Sequence, residues 1–199
     1  MRSNDQMSET PNGRLPLPPD ETVVLVPMDG PPAGEIVQLV VDLQREGVHA
    51  TLAEPVALPE SAYDRARGQY GAERLLAAAR SLDGRRLLGI TARDIYAEGL
   101  NFAFGLADAP GRAALISLFR LHAGPDPHAV HARALKEAVH ELGHTLGLGH
   151  CENPRCVMHF SNSLEDTDRK TWRLCDPCLL QGSRLGRGGR QNPSRYPST

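Results

Sequence analysis

Between His140 and Cys156 the chain reads HELGHTLGLGHCENPRC, which gathers His140, His144, His150, Glu141, Cys151 and Cys156 into one short stretch. Histidine and cysteine are the strongest protein ligands for zinc, and a carboxylate beside them is the usual partner for moving a proton. The stretch is either one metal site with spare ligands or two sites built back to back.

Helical geometry separates these roles. At 100° per residue with His140 set at zero, His144 lies at about 40° and Glu141 at about 100°. Leu135, Ala138, Val139, Leu142 and Leu146 fall between about 160° and 260°, so one face carries chemistry and the opposite face is core. The four-residue spacing lets two imidazoles reach one cation, while Glu141 projects toward the ion's open side without becoming a ligand. A continuing helix would carry the next ligand away. Gly147 resolves this, because glycine takes the left-handed conformation that ends a helix and so turns His150 back toward the metal.

H-E-x-x-H alone recurs in unrelated helices, but H-E-x-x-H-x-x-G-x-x-H is met in full by His140, Glu141, His144, Gly147 and His150 and resembles the metzincin signature. Three neutral imidazoles leave a fourth position open, which distinguishes a catalytic zinc site from a closed structural one. Zinc lowers the pKa of a water that it holds to about 7. Glu141 is then expected to take that water's proton, direct its attack on a peptide carbonyl and return the proton to the leaving amine.

Cys151, Cys156, Cys175 and Cys178 are all the cysteines in the chain. Cys151 follows the last histidine directly and cannot bend back to the same ion without filling the open position. Cys151 with Cys156 and Cys175 with Cys178 make a C-x4-C and a C-x2-C pair at zinc-knuckle spacing. Such a closed site contributes on the order of 10 kcal/mol or more to folding at neutral pH, and here it would pin the turn that holds His150. A redox dithiol at Cys175 and Cys178, or a nucleic-acid-binding ribbon, leaves unexplained why Cys151 abuts a ligand.

The run HELGHTLGLGHCENPRCVMHFSNSLEDTDRKTWRLCDPC, from His140 to Cys178, resembles the archaemetzincins, metzincin-like zinc metallopeptidases whose long motif joins a histidine site to a four-cysteine second zinc site. GLNFAFG and GRAALISLFRL fit the same family pattern. The resemblance implies two zinc ions per chain, one catalytic and one structural, and Met158 as the methionine packed beneath the catalytic zinc. It implies limited, aminopeptidase-like activity on peptides or small proteins. It further implies an edge strand above the cleft that holds an extended peptide, for which Asn101–Ala107 is the candidate, since a strand edge pairs with a peptide backbone. The different-class alternative is a catalytically silent, zinc-stabilised peptide- or protein-binding module, against which the presence of Glu141 argues.

These residues need a scaffold, and the rest of the chain supplies one. Thr22–Val26 has the β-branched composition of a buried strand, and Ala33–Gly47 places Ile36, Leu39, Val40 and Leu43 at helical spacing before a stopping glycine. His49–Ala53, Ala72–Gly84 and Arg86–Ala92 continue the alternation as strand, helix and strand, a βαβαβ pattern with parallel pairing. Asn101–Ala107 and Arg112–Leu121 are strand-like pieces separated by the turn composition DAPG, and a long helix over Pro127–Leu146 follows. Asp166 or Asp168 is expected to cap the helix that leads to Cys175. His49, His122, His128, His131 and His159 lie outside the motif and are expected not to be ligands. The fold class is α/β: a compact single-domain metzincin-like fold, a mixed twisted sheet with packed helices and an active-site helix carrying the histidine motif.

At 199 residues the chain suits one domain. A disordered arm over residues 1–20, rich in proline, and a disordered basic tail over 182–199 are expected to flank a metallopeptidase domain over 21–181, with the cysteine subsite at 151–178. A net charge of -2 gives no overall pull toward nucleic acid or anionic membrane. Neither a signal-peptide core nor an apolar run long enough to span a bilayer is present in the sequence, so a cytoplasmic monomer acting on peptide or protein substrates is the expectation.

Overall fold

A computed structural model describes residues 13–124 and 126–188. Strand β1 (Thr22–Met28) buries both faces, as its continuous apolar run requires of a strand inside a parallel sheet. Helix α1 (Ala33–Arg45) returns the chain to β2 (His49–Leu52), which pairs with β1 in parallel. Two short strands, β3 (Tyr63–Asp64) and β4 (Gln69–Gly71), precede helix α2 (Ala72–Arg80), and β5 (Arg86–Thr91) then pairs with the other side of β1, again in parallel. After β6 (Ile95–Tyr96) come β7 (Gly105–Ala107) and β8 (Ala113–Ser117), an antiparallel hairpin that places β8 against β5 and leaves β7 at the edge. The main sheet thus runs β2-β1-β5-β8-β7, and β3-β4-β6 form a second, small sheet.

Side-chain alternation divides the core. Val23, Leu25, Leu88, Ile90, Ala114 and Ile116 point to one face, where they meet α1 and the long helix α3 (Pro127–Thr145). Val26, Met28, Leu87 and Leu115 point to the other, against Leu75, Leu76 and Ala79 of α2. The apolar face expected for α3 is the one that is buried: Leu135, Ala138, Val139, Leu142 and Leu146 are all in the core. Beyond α3 the chain forms α4 (Leu164–Arg169) and α5 (Asp176–Gly188). No helix among the described residues is long and apolar enough to cross a membrane.

The sequence expectations need several corrections. The strand expected over Asn101–Ala107 is regular only at Gly105–Ala107, because Ala103 leaves the main sheet to bridge Ile95 of the small one. The strand expected over Arg112–Leu121 stops at Ser117, whose hydroxyl accepts the Phe119 N–H and donates to the Arg93 carbonyl as the chain turns into a 3-10 segment. Ser163, rather than Asp166 or Asp168, caps α4: its Oγ accepts the Asp166 N–H at 3.3 Å, while the Asp166 carboxylate accepts the Ser163 hydroxyl and the Asn162 N–H. Asp168 instead takes both arms of the Arg133 guanidinium at 2.7 Å, tying α4 to α3.

Both flanking boundaries also move outward. Leu15 and Leu17 pack against the core and the Gly13 carbonyl accepts the Leu174 N–H at 2.7 Å, so residues 13–20 are structured. Helix α5 continues through Gly188 into the expected tail, with Leu179 buried and Gly182 against Pro16. The remaining portions of that arm and tail, residues 1–12 and 189–199, lie outside the described residues.

Candidate active site and metal centres

Helix α3 ends at Thr145 in a Schellman turn: the Gly147 N–H donates to the His144 carbonyl at 2.8 Å and the Leu148 N–H to the Gly143 carbonyl at 3.1 Å. Gly147 sits at φ +90°, the left-handed conformation its place in the motif demands. The turn does more than redirect the chain. It delivers the Leu148 carbonyl to Nδ1 of His144 at 2.8 Å, which fixes that ring. The His140 ring is fixed in the same way by the Val157 carbonyl at 2.8 Å.

A carbonyl only accepts, so both Nδ1 atoms carry the proton and both Nε2 atoms present bare lone pairs. Those two Nε2 atoms face one another at 3.1 Å. Two lone pairs that close repel, and one ring would have to take a second proton to bond the other. Burial opposes that: it holds His140 well below the ordinary imidazole pKa, and it also lowers His144 and His150. His150 completes the group, its ring stacked near-parallel on His140 with centroids 5.5 Å apart. The ligand atoms of the trio lie within 4.8 Å of one another. Neutral rings with converging lone pairs fit a borderline-soft cation such as zinc.

The cysteines form their own cluster. One sulfur from each of Cys151, Cys156, Cys175 and Cys178 lies within 4.8 Å of the others, and none is in a disulfide. Burial pushes the Cys156 thiol up to about 11 and raises Cys178 further, whereas Cys175, opposed by burial but hydrogen-bonded by the Cys178 N–H and its neighbouring thiols, is lowered; a positive charge among the sulfurs would favour the thiolate at the two raised positions. The donor set, all sulfur and all inward, fits a closed tetrahedral zinc site.

The two clusters share backbone. Cys151 is bonded to His150 in sequence, and the Val157 carbonyl that orients His140 follows Cys156 directly. Met158 is fully buried beneath α3: a Cβ on Gly143 would collide with the Met158 sulfur, so the glycine between the paired histidines lets the methionine approach the helix. Of the unmatched histidines, His159 bonds the Cys151 carbonyl and His122 bonds Glu35; neither joins a cluster. The His128 side chain lies outside the described residues.

Glu141 is 5% exposed and lies at a cleft of about 250 Å³, shared with Glu137, His140, Phe160 and the segment from Gly99 to Gly105. Burial, with Glu137 a turn away, raises its pKa well above the ordinary carboxylate value. Glu137 itself accepts from Lys170 at 2.9 Å, a pair with both side chains almost wholly buried, and from Thr167 at 3.2 Å. Sequence reasoning missed Glu137 and Lys170, since a lysine in a polar stretch reads as surface. It also missed the Val157 and Leu148 carbonyls, which no side-chain pattern announces. For Glu137 a signal existed: it precedes Glu141 by four residues and so shares its helix face.

The model of peptidase family M54 matches residues 36–184, a span that contains both clusters. The chain belongs to peptidase family M54, the archaemetzincins. An archaemetzincin of Methanopyrus kandleri is 52% identical over 136 residues, covering 66% of this chain and 77% of its own length. The crystal structure of an archaemetzincin from the same organism superposes with a TM-score of 0.78 at 39% identity, covering 85% of this chain and 97% of that one. A second, from Archaeoglobus fulgidus and complexed with malonate, gives 0.74 at 36% identity over 80% of this chain and 99% of that one. The metzincin-like α/β fold and the zinc metallopeptidase activity expected from the motif are therefore those of its family.

Proposed function

We propose that this chain hydrolyses peptide bonds at the histidine cluster with Glu141 as general base, and that the cysteine cluster holds a second, structural zinc. One observation carries the reading: the bare Nε2 atoms of His140 and His144 converge, and His140 shares a cleft with the buried Glu141 carboxylate. A zinc ion held by neutral imidazoles supplies a Lewis acid that polarises a carbonyl and makes water acidic near neutral pH.

The chain's own residues do the rest. Glu141, whose burial raises its affinity for a proton, accepts one from water and returns it to the departing amine. The Leu148 and Val157 carbonyls hold two imidazoles in the tautomer that leaves Nε2 free. Strand β7 offers its free edge to an extended peptide, as expected of the segment ending at Ala107. Met158, fully buried against Gly143 between the two paired histidines, would form the floor beneath them. The family resemblance favours limited, aminopeptidase-like trimming of peptides or small proteins at this cleft.

Glu141→Gln keeps the shape and removes the base. Cleavage of a peptide library should drop by roughly 10²- to 10⁴-fold with bound zinc unchanged. Undiminished cleavage would mean that another group moves the proton. Metal analysis of the freshly purified, reduced protein should give two zinc ions per chain, and only one would remove the two-site reading.

A further inference from the structure

Strand β7 begins with a glycine whose missing side chain is spatially conspicuous. A Cβ on Gly105 would lie 2.6 Å from both Cγ and Oε1 of Glu141, and 2.7 Å from the Leu115 carbonyl oxygen of β8. Non-bonded carbons settle at about 3.5–4.0 Å, so the overlap amounts to an ångström or so. Gly105 is not among the positive-φ glycines, and any residue could adopt its backbone. The position forbids volume, not conformation. Gly89 makes a useful contrast: a Cβ there meets the Met28 sulfur at 2.9 Å and a Leu115 methyl at 3.1 Å, ends of flexible side chains. At Gly105 the obstacle is a carboxylate and a strand backbone.

We propose that Gly105 is a positioning residue for Glu141: the side chain it lacks leaves, at the sheet edge, the volume that the Glu141 carboxylate occupies beside the histidines. Glu141 is rooted on α3 and its Cγ and Oε1 lie against the start of β7, so the strand limits where its carboxylate can stand. A methyl group there displaces it sideways. Displacing a catalytic group by about 1 Å costs on the order of 100-fold in rate. The functional half of this proposal rests on Glu141 being the base; the steric half does not.

The test is a double-mutant cycle on the full chain with Gly105→Ala, Glu141→Ala and the pair, read by thermal melts of the metal-free protein, together with kinetics of zinc-loaded Gly105→Ala. The single Gly105→Ala should lower Tm by about 5–10 °C, and most of that loss should vanish in the Glu141→Ala background. Its kcat should fall about 100-fold, with KM within about twofold and the zinc content intact. An equal Tm loss in both backgrounds would overturn the proposal, leaving the glycine to serve only the Leu115 carbonyl, and so would wild-type kcat in Gly105→Ala. Should Gly105→Ala not fold, a folded double variant supports the contact and a double variant that also fails to fold overturns it. Full cleavage by Glu141→Gln with the stability coupling present would remove the base and spare the contact.

Discussion

The Cys151 N–H donates to the Met158 carbonyl at 2.9 Å. That bond closes a loop from the residue after the last histidine to the buried methionine that packs against Gly143 of α3, with Cys156 inside it. Two of the four cysteines therefore sit at the start of the loop and just before its end, and the carbonyl between Cys156 and Met158, that of Val157, orients His140. The cysteine cluster is placed to hold both the third histidine and the tautomer of the first.

The turn at Gly147 has a measurable role. A Cβ in the left-handed region costs about 1–2 kcal/mol, so Gly147→Ala should lower Tm by roughly 3–6 °C. Because the Leu148 carbonyl moves with the turn, zinc affinity at the histidines should weaken as well, seen by chelator competition. A variant with lower Tm and unchanged affinity would uncouple the turn from the His144 ring.

Metal-free protein should be acid-sensitive in a defined window. Burial, followed for His140 by the nearby Lys170 charge, keeps the folded-state pKa values of His140, His144 and His150 below their unfolded ones. At these rings the folded state resists protonation, so their contribution is complete above about pH 6.5 and is lost progressively as the pH falls below it. Burial raises the folded-state pKa of Glu141, which acts in the opposite sense over the same range, so the test uses chelated Glu141→Gln protein. Its melts from pH 8 to 5 should decline from near 6.5 downward, and a flat profile there would contradict the buried, neutral trio.

The pair between Glu137 and Lys170 predicts an asymmetry between single and double variants. Lys170→Met strands a buried carboxylate and should cost about 3–5 kcal/mol, whereas Lys170→Met with Glu137→Leu should cost much less. Urea unfolding of wild type, Lys170→Met, Glu137→Leu and the double variant measures the difference, and additive losses would show that the two charges act separately.

The histidine and cysteine clusters were legible because ligand spacing is a local property: one helix, one glycine turn and two short cysteine spacings define them. The βαβαβ core was legible for a similar reason, since each buried strand and amphipathic helix shows its own period. Strands β3, β4 and β6 have two or three residues each and too little sequence to show a period. The helical course of Gly182–Gly188 was masked by a composition that reads as linker, and it is the packing of α5 through Leu179 and Gly182 that orders it. Lys170, fully buried, and Gly105, pressed on Glu141, take their meaning from partners more than thirty residues away. No local pattern carries such information.

If the thiolate site preorganises the histidine site, cobalt titration of the metal-free, reduced protein should reveal the coupling without a substitution. Thiolate-to-cobalt charge-transfer absorption reports the cysteines, and the weaker bands of a nitrogen-ligated ion report the histidines. Filling the thiolate site should tighten binding at the histidines by roughly 10-fold or more, within the range of about 5- to 150-fold seen for coupled sites. Histidine-site affinity that is the same with the thiolates empty or filled would contradict it.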